Sequence, residues 1–191
     1  MIEAPPGRLL YDHSKFVDRD GAINLVLGKA RRLSNGQPVE RRVVLFHGQR
    51  GSGKTWLALE LLQRLSSTVT AHFVNLQNSK DNVAIKAGIP TNRPLALVVD
   101  EIQDASDRHL NELEESVFAP LILEPNVLIV LFERGRAHWW NLPELRDESD
   151  DMPLGPFEEI HVAQQVARQV PNAQANIADI LAFGRGFPWS T

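Results

Sequence analysis

Short apolar runs alternate along this chain with stretches whose apolar positions recur every three or four residues. Val43-Val44-Leu45-Phe46 is apolar throughout, as a parallel strand covered on both faces should be. Thr68 to Leu76 alternates and is rich in β-branched residues, which predicts a second strand ending near Asn75. Leu95 to Val99 and Asn126 to Phe132 predict two more buried strands, and Leu154-Gly155-Pro156-Phe157 is placed to finish a fifth.

Helical spacing fills the intervals. Ile23, Val26, Leu27, Ala30 and Leu33 form one stripe, with Asp20 placed as N-cap and Asn35-Gly36 as the stop. Leu57, Leu61 and Leu65 form a second stripe, with Ala58 and Leu62 beside it and Ser66-Ser67 closing it. Leu110, Leu113 and Val117 form a third, bent or ended at Pro120. Two short helices are expected over 158–170 and 173–183, and a weak helical signal lies at 82–86. Strands alternating with helices predict an α/β domain with a parallel sheet and right-handed crossovers. The expected organisation is an irregular leader over 1–15, an α/β domain over 16–157 and a partial helical lid over 158–191. The sequence ends at a Gly184–Pro188 punctuation, which gives the expectation of a lid cut short.

Composition narrows the class. With 191 residues and 43% hydrophobic content, the chain can bury a full core. A net charge of -4 supplies no general basic surface, so nucleic acid is not an expected partner. The absence of cysteine excludes disulfides, thiol catalysis and cysteine-ligated zinc. No apolar run approaches the ~20 residues that span a bilayer, and the N-terminus has no signal-peptide pattern. The expected setting is cytoplasmic, with no membrane.

The chemistry sits at the strand ends. Gly48-Gln49-Arg50-Gly51-Ser52-Gly53-Lys54-Thr55 fits GxxxxGKT between a strand and a helix that opens on Trp56. In that setting the backbone N–H groups converge on phosphate oxygens, Lys54 reaches the β- and γ-phosphates, and the Thr55 hydroxyl holds Mg²⁺. Asp100-Glu101 closes an apolar strand downstream. Asp100 is the candidate to fix Mg²⁺ through a water, and Glu101 to orient the attacking water. Arg134 follows the fourth strand, where a guanidinium can sense the γ-phosphate, and Arg136 competes with it. Asn75 is either a holder of Glu101 or an ordinary turn residue. Arg146 is either an arginine finger toward a neighbouring subunit or a salt-bridge partner of nearby acids. Trp139 and Trp140 are expected to pack a lid or interface, and His47 to be a packed strand-end residue.

These residues resemble the STAND class of AAA-like ATPases, related to the NACHT and origin-recognition ATPases. Phe16-Val17-Asp18-Arg19-Asp20 looks like that family's FxGRE element, with Asp18 where glycine is usual. Gly48 to Thr55 and Val98 to Glu101 look like its Walker A and B motifs, Leu154 to Phe157 like the entry to its lid, and Gly186-Phe187-Pro188 like its GxP motif. The resemblance implies an ASCE-type P-loop NTPase fold with a five-stranded parallel sheet flanked by helices. It implies Mg-ATP as ligand, Arg19 at the base and Pro188 near the nucleotide. The function it implies is a slow ATPase acting as a signalling or assembly switch, with a protein partner or self-assembly as output. The family usually has a small residue before the arginine after the fourth strand, where this chain has Glu133-Arg134. Competing readings are a DNA-linked ATPase of the initiator or loader type, a small-molecule kinase, and a nucleotide-binding module without turnover.

Overall fold

The computed structural model describes residues 11–78, 92–135 and 140–169. Five parallel strands form one sheet: β1 Val43–Gly48, β2 Thr70–Asn75, β3 Leu95–Asp100, β4 Val127–Arg134 and β5 Ser149–Pro153. Their order is β2-β3-β4-β1-β5, so β4 lies between the strand that leads into the glycine-rich loop and the strand that ends in carboxylates. Register decides what faces what. Gly48 stands opposite Arg134, and Asn75 opposite Asp100, so the loop, the acids and the arginine all emerge at the C-terminal edge of the sheet.

The strand pattern divides the core into two layers. Val43, Leu45, Leu97, Val99, Ile129 and Leu131 face α3 Asp107–Leu113 and α4 Ala119–Leu123. Val44, Phe46, Val98, Val130 and Phe132 face α1 Asp20–Ser34 and α2 Lys54–Leu65. Phe46 and Phe132 stack across β1 and β4 with ring centroids 5.2 Å apart. A short helix, α5 Pro143–Asp147, precedes β5, and α6 Glu159–Gln169 is the last described element.

Several boundaries differ from the sequence reading. Arg19, not Asp20, occupies the cap position of α1, in left-handed backbone and without a side-chain cap bond; Asp20 lies inside the first turn, where its charge complements the helix dipole. β2 begins at Thr70 because the N–H groups of Thr68 and Val69 still bond the Leu65 carbonyl, at 2.8 and 2.9 Å. Pro120 neither ends nor sharply breaks its helix: a widened turn over Glu114–Phe118 precedes it. Widening the turn there accommodates a ring that has no N–H and crowds the carbonyl four residues back. The fifth strand is Ser149–Pro153, earlier than expected and largely acidic, while Leu154 to Phe157 is the loop after it. An acidic edge strand is tolerable because Asp150 pairs with Lys29 at 3.0 Å and Arg41 at 3.3 Å. The expected helices at 82–86 and 173–183 lie outside the described residues.

Candidate nucleotide-binding site

The loop from Gly48 to Gly53 is shaped by its glycines. Gly51 and Gly53 take φ of 86° and 83°, which L side chains rarely adopt. Gly48 is needed for space: a Cβ there would meet the Leu154 carbonyl oxygen at 2.7 Å and Ser52 Oγ at 2.9 Å. Lys54 opens α2, where orphan N–H groups and the helix dipole favour an anion. Its ammonium donates to the carbonyls of Gly48 at 2.9 Å and Gln49 at 2.8 Å, and to Ser52 Oγ at 3.3 Å. Burial lowers its pKa, opposed by the neighbouring negative charges of Asp100 and Glu101, while Arg134 adds to the lowering. Lys54, Asp100, Glu101 and Arg134 therefore form one electrostatic group around the loop. Thr55, next along α2, is half-buried, and Gln49 and Arg50 are exposed on the loop crest.

At the end of β3, Asp100 is buried and accepts from the Glu101 N–H at 2.9 Å. Glu101 has left-handed backbone, φ 61°, which turns the chain sharply into a 3₁₀ turn over Ile102–Asp104. Its buried carboxylate accepts a hydrogen bond from Gln103 Nε2, and Arg134 Nη2 lies 3.8 Å from Glu101 Oε2. Gln103 Oε1 accepts from the Arg134 backbone N–H at 2.8 Å. Asn75 Oδ1 accepts from the Gln77 N–H at 2.9 Å, the strand-end turn contact.

A second wall is built by the segment before α1. Lys15, Phe16, Val17, Arg19, Gly53, Trp56, Phe157 and Gln165 line a cleft beside the start of α2. Asp18 has φ of 65°, a conformation glycine takes more easily, at the position where the resembled element carries glycine. Arg19 Nη2 donates to the carbonyls of Ser52 at 3.2 Å and Gly155 at 2.7 Å, and its guanidinium lies 4.6 Å from the Phe157 ring centroid. Burial lowers its pKa, against the raising influence of Asp18. Arg19 thus ties the glycine loop to the segment that follows β5. Residues 11–15, expected as part of a leader, are fastened to α2: buried Glu60 accepts from Tyr11 Oη and lies 2.7 Å from His13 Nδ1 and 2.5 Å from Arg64 Nε.

The remaining candidates scatter. Trp56 meets Tyr11 edge to face at 5.5 Å. Trp140 is not a lid or interface residue but part of the core, edge to face with Phe118 at 6.2 Å. Arg146 lies at the opposite edge of the sheet, since Ser149 pairs with Val43 at the start of β1; that is roughly 15 Å from the loop along the strand. His47 has Nδ1 3.4 Å from the Gly135 carbonyl oxygen. Arg136, Trp139 and Pro188 lie outside the described residues. Gln103 and Glu60 were not singled out in the sequence, and Phe157 appeared there only within the segment that resembles a lid entry.

Strand order, a glycine loop entering α2 and acids on the strand two places from β1 define the P-loop NTPase fold of the AAA type. The chain is similar in structure to the Thermotoga maritima RuvB Holliday junction branch migration motor, with TM-score 0.62 and 18% identity over 92% of this chain and 59% of that one. It is similar to Caenorhabditis elegans PCH-2, with TM-score 0.55 and 18% identity over 85% and 50%. It also resembles Aeropyrum pernix ORC1 solved in complex with DNA, with TM-score 0.61 and 16% identity over 81% and 50%. The chain therefore spans between half and three-fifths of the length of these neighbours. No family model and no curated protein matches its sequence. Among the described residues no helix is long and apolar enough to cross a membrane, and no cluster of three or more His, Asp or Glu residues forms a metal cage.

Proposed function

We propose that the chain binds Mg-ATP and hydrolyses it slowly, as the nucleotide-dependent switch of a larger assembly in the manner of the STAND-type ATPases. The observation that carries this reading is Lys54: a buried ammonium on three loop oxygens, electrostatically coupled to the acids that end β3. The backbone from Gly48 to Thr55 would enclose the phosphates, with Lys54 transferring its hydrogen bonds from the loop carbonyls to phosphate oxygens. A hydroxyl and a carboxylate are the hard oxygen donors that suit Mg²⁺, which keeps several waters, so Thr55 and Asp100 would hold it. When bound, Mg²⁺ would supply neutralisation of the phosphate charge. Glu101 would orient and polarise the attacking water, and Arg134 would stabilise charge developing on the γ-phosphate. Phe16, Trp56 and Arg19 line the side for the base, and Pro188 joins them on the resemblance alone. Differential affinity for ATP and ADP would bias the lid, and through it a protein partner or a second copy.

A DNA-linked ATPase of the initiator or loader type is the second reading, favoured by two structural neighbours, a Holliday junction branch migration motor and an ORC1 protein solved in complex with DNA. The net charge of -4 weighs against it. Calorimetry and phosphate release test the first reading. Lys54→Ala should abolish Mg-ATP binding, and Glu101→Gln should keep binding and lose hydrolysis; full-affinity binding by the lysine variant would sink it. Salt-sensitive DNA binding that stimulates phosphate release would favour the second.

A further inference from the structure

We infer that Gln103 is the positioning residue for Glu101, coupling the orientation of that carboxylate to the end of β4. This rests on the reading of Glu101 as the water-orienting group. The two arms of one amide carry the inference. Nε2 donates to Glu101 Oε2, while Oε1 accepts from the Arg134 N–H at 2.8 Å, so one side chain joins the carboxylate to the neighbouring strand end. The Arg134 guanidinium, 3.8 Å from the same carboxylate oxygen, closes the ring from the other side.

The backbone makes such a brace necessary. Glu101 stands past the last ladder pair of β3, in left-handed conformation, at the head of a three-residue 3₁₀ turn. A side chain leaving the sheet at a sharp turn is not oriented by the ladder, and small displacements of a reacting group cost much in rate. Gln103 sits two residues on, across the bend from Glu101 and against β4. Asparagine would be one methylene short of spanning both partners, and a carboxylate could accept from Arg134 but not donate to Glu101. The turn itself is secured separately, by the Gln77 side chain on Asp104 and by the Ala105 N–H on the Ile102 carbonyl at 3.1 Å. Gln103 is therefore free to serve orientation rather than folding. A motion of the β4 end, where Arg134 senses the γ-phosphate in the proposed site, would be passed to Glu101 through this amide.

The test compares Gln103→Met, which keeps length and volume but loses both hydrogen bonds, with Gln103→Glu. Steady-state hydrolysis should lose kcat by about tenfold in the methionine variant and more in the glutamate variant, with KM and Mg-ATP affinity within about twofold of the parent. Thermal unfolding should be nearly unchanged for methionine. Unchanged kcat in Gln103→Met, or a rise in KM matching the loss, overturns the assignment. A readout independent of turnover separates it from the ATPase reading. In NMR spectra of the isotope-labelled chain, Glu101→Gln should shift the Gln103 side-chain amide and the Arg134 backbone amide together. That joint shift in a protein without turnover would uphold the brace and remove only hydrolysis; its absence would overturn the brace.

Discussion

Gly48 looks interchangeable with any other glycine in a GxxxxGKT string, yet its reason is distinct. Gly51 and Gly53 are there for backbone sign, Gly48 for space against the Leu154 carbonyl oxygen. Backbone cannot yield as a side-chain tip does, so Gly48→Ala should cost about 1–3 kcal/mol in denaturant unfolding and weaken nucleotide affinity together. An alanine variant with parental stability would contradict the close approach. The motif residues were readable one by one because each has a local duty: φ, charge or a hydroxyl at a helix start. Gln103 was not, because its partners, Glu101 and the Arg134 N–H, meet only when β3 and β4 are laid side by side.

At the level of elements, the widened turn at Glu114–Phe118 has a consequence for the segment that follows β4. It holds the buried Glu114 carboxylate where it accepts from the Asn141 N–H at 2.9 Å and the Leu142 N–H at 3.3 Å, and from Asn141 Nδ2 at 3.3 Å. These are the N–H groups just ahead of α5, so the glutamate serves as a cap supplied from another helix. Glu114→Ala should destabilise the fold by about 1–3 kcal/mol, because buried donors lose their acceptor. Glu114→Gln should recover part of the loss, read as the difference in urea midpoints.

For the whole molecule, the contact of interest joins the chain's beginning to the helix behind the glycine loop. Burial by itself would raise the pKa of Glu60, but hydrogen bonds from Tyr11, His13 and Arg64 outweigh it and leave it below its ordinary value of 4.5. A carboxylate with a depressed folded pKa binds fewer protons in the native state than unfolded, so its stabilisation is present above about pH 4.5 and is lost as pH falls through the folded value. Tyr11 responds in the opposite sense: burial first, then Glu60, raises its pKa, so its contribution holds below the ordinary value of 10.0 and is lost at higher pH. Glu60→Gln should therefore lower Tm at neutral pH and flatten the fall of Tm in acid, measured by calorimetry across pH 3 to 7, by an amount corresponding to roughly 1–3 kcal/mol. An unchanged acid limb would remove the strap. Since that strap carries the segment with Phe16 and Arg19, its loss should also loosen the cleft beside the start of α2.

What the sequence determined by itself was whatever depends on short-range pattern. The 3.6-residue and all-apolar periods set the helices and buried strands, and the glycines set the backbone of the Gly48 to Gly53 loop, because these requirements are met within a few residues. Even Asp18 was legible as an oddity, standing where glycine is usual and taking positive φ. The tertiary structure decided what depends on neighbours distant in the chain. An acidic run became edge strand β5 through pairing with β1 and the charges of Lys29 and Arg41. Trp140 went to the core, Arg146 to the far edge of the sheet, and Gln103 to the Arg134 backbone at the end of β4. Such placements follow from strand order and register, which bring together residues that no local period connects.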